Sequence, residues 1–124
     1  MPFFIINKNL KNMGKIIYNV TFVVERGDAP AFAGWMRSEG IELLAPVVER
    51  GAMAPRLAVV EEVPGEQDFR GQACSFAFQM EFGDIETAHS WGETRLALGL
   101  EAFRSRFGTE RALSFSTILK EVKL

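Results

Sequence analysis

The segment from Gln72 to Phe82 constrains the fold more than any other part of the sequence, because large and small side chains alternate strictly along it. One set of alternate positions is Cys74, Phe76, Phe78, Met80 and Phe82, and the other is Ala73, Ser75, Ala77, Gln79 and Glu81. Successive side chains of a β-strand point to opposite faces, so this pattern predicts a strand with one large apolar face. Such a face must be covered by a second layer of structure.

Five further segments have the patterns of strands and helices. The β-branched and aromatic residues of 15–24 predict a strand, and Asp28 is placed to begin a helix that buries Phe32, Trp35 and Met36. Residues 52–63 predict a second strand, and Pro55 within it favours a sheet edge because proline cannot donate to a ladder. A long helix is predicted from the N-cap Asp84 to Gly108, and a last strand over 112–122.

The predicted order is strand, helix, strand, strand, helix, strand, which is the split β-α-β pattern of the ferredoxin-like fold. The expected architecture is α+β, with two helices on one face of a four-stranded antiparallel sheet. Strands one and three are expected at its centre. Residues 14–124 are expected to form this single domain. Residues 1–13 are expected to be a disordered leader, or to arise from an upstream start codon with Met13 as the working start.

Composition excludes several functional classes. The 124 residues carry a net charge of −2, which argues against a nucleic-acid partner bound by a cationic excess. One cysteine and one histidine cannot build a multi-Cys/His zinc site, and the phosphate-loop, dinucleotide and hydrolase motifs are absent from the sequence, so no metal or cofactor is expected. No apolar run reaches the roughly 20 residues of a membrane span, and the single thiol fits a cytoplasmic location.

The second helix has one predicted apolar stripe. At about 100° per residue, its members fall within an arc of about 60° and are Ile85, His89, Leu96, Leu100, Phe103 and Phe107. This stripe predicts a partly buried His89. Gly92 and Gly99 flank the stripe and are expected to let the helix approach the sheet closely.

The sheet face away from the helices is predicted to be small and mixed in polarity. The candidate ligand-binding residues on it are Asn19, Thr21, Arg56, Gln79 and Glu81. Buried polar groups need hydrogen-bond partners, which a small-molecule ligand or water could supply, and Arg56 could pair with a carboxylate. The alternative is a polar network that bridges strands or subunits. Because such a face suits packing against a second copy, a homodimer is expected.

Several short sequence segments resemble those of a known family. They are IIYNVT at 16–21, Trp35-Met36, residues 55–60, Gln79, residues 105–108 and residues 115–122. Over residues 14–122, the chain resembles a small bacterial family of unknown function in the ferredoxin-like, dimeric α/β-barrel group. The resemblance implies a cytosolic homodimer and brings no established reaction, cofactor or catalytic residue.

Two functional hypotheses follow. The first is a non-enzymatic homodimer that binds a ligand or partner. The alternative is a cofactor-independent oxygenase or isomerase acting on a small hydrophobic substrate, since cofactor-free monooxygenases and haem-degrading enzymes have a similar fold. The haem-degrading enzymes use an Asn on the first strand and a Trp and a His on the second helix, for which Asn19, Trp91 and His89 are the candidates here. However, the His precedes the Trp in this chain, and the two point about 200° apart on a regular helix.

Overall fold

In the computed structural model, which describes residues 15–61, 64, 65, 71–110 and 112–124, four β-strands form one antiparallel sheet in the order β2-β3-β1-β4. The strands are β1 (Ile16–Glu25), β2 (Arg56–Val59), β3 (Ala73–Phe82) and β4 (Leu113–Lys120). This order confirms the predicted α+β class and is compatible with the ferredoxin-like topology. The predicted leader at residues 1–13 lies outside the described residues.

Two long helical segments cover one face of the sheet, and each is interrupted by a π-helical turn. The helices are α1 (Ala29–Trp35), α2 (Ile41–Leu44), α3 (Arg50–Met53), α4 (Ile85–Trp91) and α5 (Ala97–Phe107), and the π-turns are Met36–Gly40 and Gly92–Leu96. Asp84 caps α4 as predicted, with its carboxylate accepting a hydrogen bond from the Thr87 backbone N–H at 2.7 Å. Within the described part of the chain, every helix is too short or too polar to cross a bilayer.

The core is a cluster of aromatic rings between the helices and the sheet. The ring of Phe32 in α1 lies 5.3 Å from that of Phe22 in β1, 4.7 Å from Phe76 in β3 and 5.7 Å from Phe103 in α5, measured between centroids. Alternate residues of β3 from Phe76 to Phe82 are buried in this cluster. The alternation in the sequence therefore predicted the correct face of β3.

The predicted stripe of the second helix is wrong in its first two positions. His89 is exposed and Ile85 is 42% exposed, whereas Trp91 is buried. The π-turn at Gly92–Leu96 inserts one extra residue relative to the α-helical repeat, so the buried positions before it are out of phase with those after it. A single 100° repeat across both halves therefore assigned α4 the wrong face.

The predicted second strand is also too long. Its first residues form α3, Ala54 then adopts a left-handed conformation with φ of 42°, and β2 is only four residues long. β2 does lie at a sheet edge, directly after Pro55, as the proline predicted.

Two glycines permit close packing of the second helical segment. A Cβ atom on Gly92 would lie 2.7 Å from the Tyr18 hydroxyl of β1, and one on Gly99 would lie 2.5 Å from Leu44 Cδ2. Gly92 thus allows the predicted approach to the sheet. Gly99 instead allows an approach to α2 of the neighbouring helical segment.

Candidate functional site

A row of polar side chains crosses the sheet face that the helices leave open. Asn19 in β1 lies directly opposite Gln79 in β3 on one side and Thr117 in β4 on the other, and Gln79 in turn lies opposite Arg56 in β2. Directly opposed residues of neighbouring strands share a face of the sheet. The register therefore places one row of polar residues across all four strands.

Side-chain hydrogen bonds connect three strands of this row. Arg56 Nη2 makes a long hydrogen bond of 3.5 Å to Gln79 Oε1, Gln79 Nε2 donates to Asn19 Oδ1 at 3.2 Å, and Asn19 Nδ2 donates to Thr21 Oγ1 at 3.2 Å. We call these four residues the polar chain. Asn19, Thr21 and Gln79 are half-buried, while the Arg56 side chain is 65% exposed.

Glu81 extends the polar chain at one end. Its carboxylate lies 4.0 Å from Arg56 Nη2 and 3.5 Å from Lys15 Nζ. All five residues singled out from the sequence as ligand-binding candidates thus lie in one connected group. Sequence analysis missed Thr117, because its position opposite Asn19 depends on the register of β4.

An apolar row lies on the same face along β4. It consists of Leu113, Phe115 and Leu119, which lie opposite Val23, Thr21 and Ile17 of β1. These three β4 side chains are 52%, 58% and 44% exposed. The open face therefore combines a polar centre with an apolar margin.

The three candidates for catalysis lie in different places. Asn19 is on the open face, whereas Trp91 is buried on the helical side, where its indole Nε1 donates to the Leu44 carbonyl at 2.7 Å. The Trp91 ring also packs edge-on against Tyr18 at 5.0 Å between centroids. His89 is exposed on α4. The geometry does not bring the three residues to one pocket.

A cavity of about 280 Å³ lies on the helical side of the β2 edge, between β2 and the first helical segment. Arginine side chains from three elements line it, and one of them is Arg56. Among the residues that the structure describes, no group of three or more histidine, cysteine, aspartate or glutamate side chains could hold a metal ion.

Comparisons with known proteins give a family and a fold. A family model described as a domain of unknown function (DUF4286) matches residues 15–122. No curated protein matches the sequence.

The solved structures that the chain resembles include the following two. A protein of unknown function from Nitrosomonas europaea has a TM-score of 0.50 and 17% identity, over 90% of this chain and 95% of that one. The de novo designed protein Foldit4 has a TM-score of 0.50 and 7% identity, over 86% of this chain and 98% of that one. At such identities the likeness shows the fold alone, and function has to be argued from the residues.

Proposed function

The chain belongs to the DUF4286 family of unknown function, and we propose that it is a non-enzymatic, cytoplasmic binding protein that forms a homodimer through its open sheet face. The observation that carries this proposal is the apolar row on β4, which leaves about half of each of three large side chains in water. In the proposed dimer, the polar chain lies in the shared interior.

The size of the open face suits a subunit interface. Four strands about 4.8 Å apart, with lengths of 10, 4, 10 and 8 residues at about 3.3 Å per residue, give a face of roughly 500 Å² in plan. Exposed apolar patches next to polar residues commonly mark protein interaction sites, and the β4 row is such a patch at the margin of this face. Two such faces can pack about 10 Å apart, as the sheets of a β-sandwich do.

A two-fold arrangement would use the same residues on both subunits. Closing the interface removes water from Asn19 and Gln79, whose amides already hydrogen-bond to each other across two strands. Burial therefore leaves few of these polar groups unpaired, which lowers the free-energy cost of burying them.

The chemistry of the polar chain supports binding rather than turnover. Asparagine, glutamine and threonine side chains donate and accept hydrogen bonds but do not ionise near neutral pH. The guanidinium group of Arg56 is suited to pairing with an anion. These four groups can recognise a ligand or a partner surface, and none of them is a general base; the Glu81 carboxylate at the end of the polar chain is already paired with Lys15 and Arg56.

Native mass spectrometry and light scattering after size exclusion test the dimer. Phe115→Lys places a charge in the proposed interface, and Leu98→Lys is the matched control, because Leu98 is 56% exposed but lies on α5. We expect the wild type and Leu98→Lys to be dimers and Phe115→Lys to be a monomer with an unchanged circular dichroism spectrum. A monomeric wild type, or equal dissociation by both variants, would contradict the proposal.

A further inference from the structure

The cavity beside β2 has an apolar floor and a cationic rim. Met36, Ile41, Leu57 and Phe78 line the floor, with Phe78 contributed by the central strand β3. The first π-turn places Met36 and the neighbouring Arg37 at the cavity, and π-turns occur frequently at functional sites.

Three guanidinium groups come from three separate elements of the chain. Arg50 in α3 is already engaged, since it donates to the Ala45 carbonyl at 2.8 Å and pairs with Glu42. Arg56 has only the long contacts to the polar chain and Glu81. Arg37 is exposed and makes no hydrogen bond or ion pair with any residue that the structure describes.

We infer that this cavity binds a small amphiphilic carboxylate, with its apolar body on the Phe78 floor and its carboxylate at the exposed Arg37. The charge of the rim carries this choice, because three arginines line the cavity in a chain whose net charge is −2, and Arg37 among them forms no ion pair with any residue that the structure describes. A guanidinium group offers paired donors that match the two oxygens of a carboxylate.

The cavity volume limits the size of the ligand. About 280 Å³ is near the lower end of the range for small-molecule sites. At roughly 30 Å³ per water-sized group, it accommodates about nine such groups. A saturated acid of about eight carbons therefore fits the cavity.

This inference names a ligand class for the proposed binding function and rests on it, but its test is separate from that of the dimer. Floor residues Leu57 and Phe78 lie opposite each other in adjacent strands, on the sheet face that the helices cover. A dimer through the open face therefore leaves this floor on the other side of the sheet. Carboxylate binding and dimerisation can each fail without the other.

Calorimetric titration of the full chain with octanoate at low ionic strength tests the inference, with 1-octanol as the uncharged probe. We expect saturable octanoate binding, and 1-octanol binding at least about fivefold weaker. Arg37→Gln should weaken octanoate binding about threefold to fivefold, the range expected for one exposed ion pair. Arg104→Gln, an exposed arginine on α5, is the matched control and should leave octanoate affinity unchanged.

Three titration results would overturn the inference. They are no saturable octanoate binding to the wild type, equal affinity for octanoate and 1-octanol, or equal weakening by Arg37→Gln and Arg104→Gln. Arg37 is exposed and forms no hydrogen bond or ion pair with the described residues, so unfolding midpoints of the variants should match that of the wild type. Octanoate should also change the amide NMR resonances of Ile41, Leu57 and Phe78. Changes confined to other residues would place the ligand elsewhere and refute the assignment.

Discussion

Gly99→Ala and Gly34→Ala make the same chemical change in two helices, and we expect them to change stability in opposite directions. A Cβ atom on Gly99 would lie 2.5 Å from Leu44 Cδ2, whereas one on Gly34 in α1 meets nothing within 4 Å. Leu44 is fully buried, and its carbonyl accepts the hydrogen bond from Trp91. The side chain of Leu44 therefore cannot move aside without disturbing the core.

The expected magnitudes follow from two opposing effects. Alanine in place of glycine within a helix stabilises by about 1 kcal/mol at both positions. Overpacking a well-filled core costs about 1–3 kcal/mol, and this cost applies at Gly99 alone. Gly34→Ala should therefore raise the free energy of unfolding by about 0.5–1 kcal/mol, and Gly99→Ala should lower it by up to about 2 kcal/mol. The difference between the variants isolates the steric cost.

Urea unfolding followed by circular dichroism measures both values. All proteins are compared at one subunit concentration, because dimerisation would make the apparent stability depend on concentration. Equal slopes with denaturant would show that the variants differ in stability and not in the unfolded state. If both substitutions stabilise the protein equally, then Gly99 and Leu44 are not in close contact and the packing described for α5 and α2 is wrong.

Three further predictions test the cap, the buried indole and the polar chain. The hydrogen bond from the Thr87 N–H lowers the pKa of Asp84. The Asp84 carboxylate therefore stabilises the fold at pH values above the usual aspartate pKa, and this contribution is lost as the pH falls through the lowered pKa. Asp84→Asn should flatten that part of the curve of unfolding free energy against pH. Trp91→Phe leaves the buried Leu44 carbonyl without its donor and should lower the free energy of unfolding by about 1–3 kcal/mol in urea titrations, and an unchanged midpoint would contradict this. Gln79→Ala removes the side chain that connects β1 and β2. It should raise the dimer dissociation constant about tenfold in sedimentation experiments, and an unaltered constant would exclude Gln79 from the interface.

The predictable parts of the fold were those fixed by local physical chemistry. The alternation in β3, the side-chain cap at Asp84 and the missing donor of Pro55 each act over a few residues, and the structure confirms all three. The π-turns were not predictable in this way, because no residue type marks the inserted position and tertiary packing determines it. The exposure of His89 and the burial of Trp91 both follow from that insertion.

The same reasoning explains what could be predicted of the candidate sites. Period-two alternation and strand order were enough to place Asn19 and Gln79 on one face, and the register shows that they are directly opposite. The arginine-lined cavity was not predictable, because Arg37 lies on a π-turn and Arg50 begins a helix whose last two residues the sequence assigned to a strand. Only Arg56, on a predicted strand, was recognised as a candidate.

β4, like the short edge strand β2, has little support from the helical layer. Of its eight residues, only Ser114 is half-buried and the other seven are exposed, so β4 is held mainly by its ladder to β1. Strands with few buried contacts open locally at a low free-energy cost, which allows their amide hydrogens to exchange with solvent early. In an isolated subunit, β4 should therefore exchange well before β3, which is buried along one face and paired on both edges. A partner seated on Leu113, Phe115 and Leu119 would slow exchange most in this strand, so subunit assembly would change local opening most at the β4 edge of the sheet.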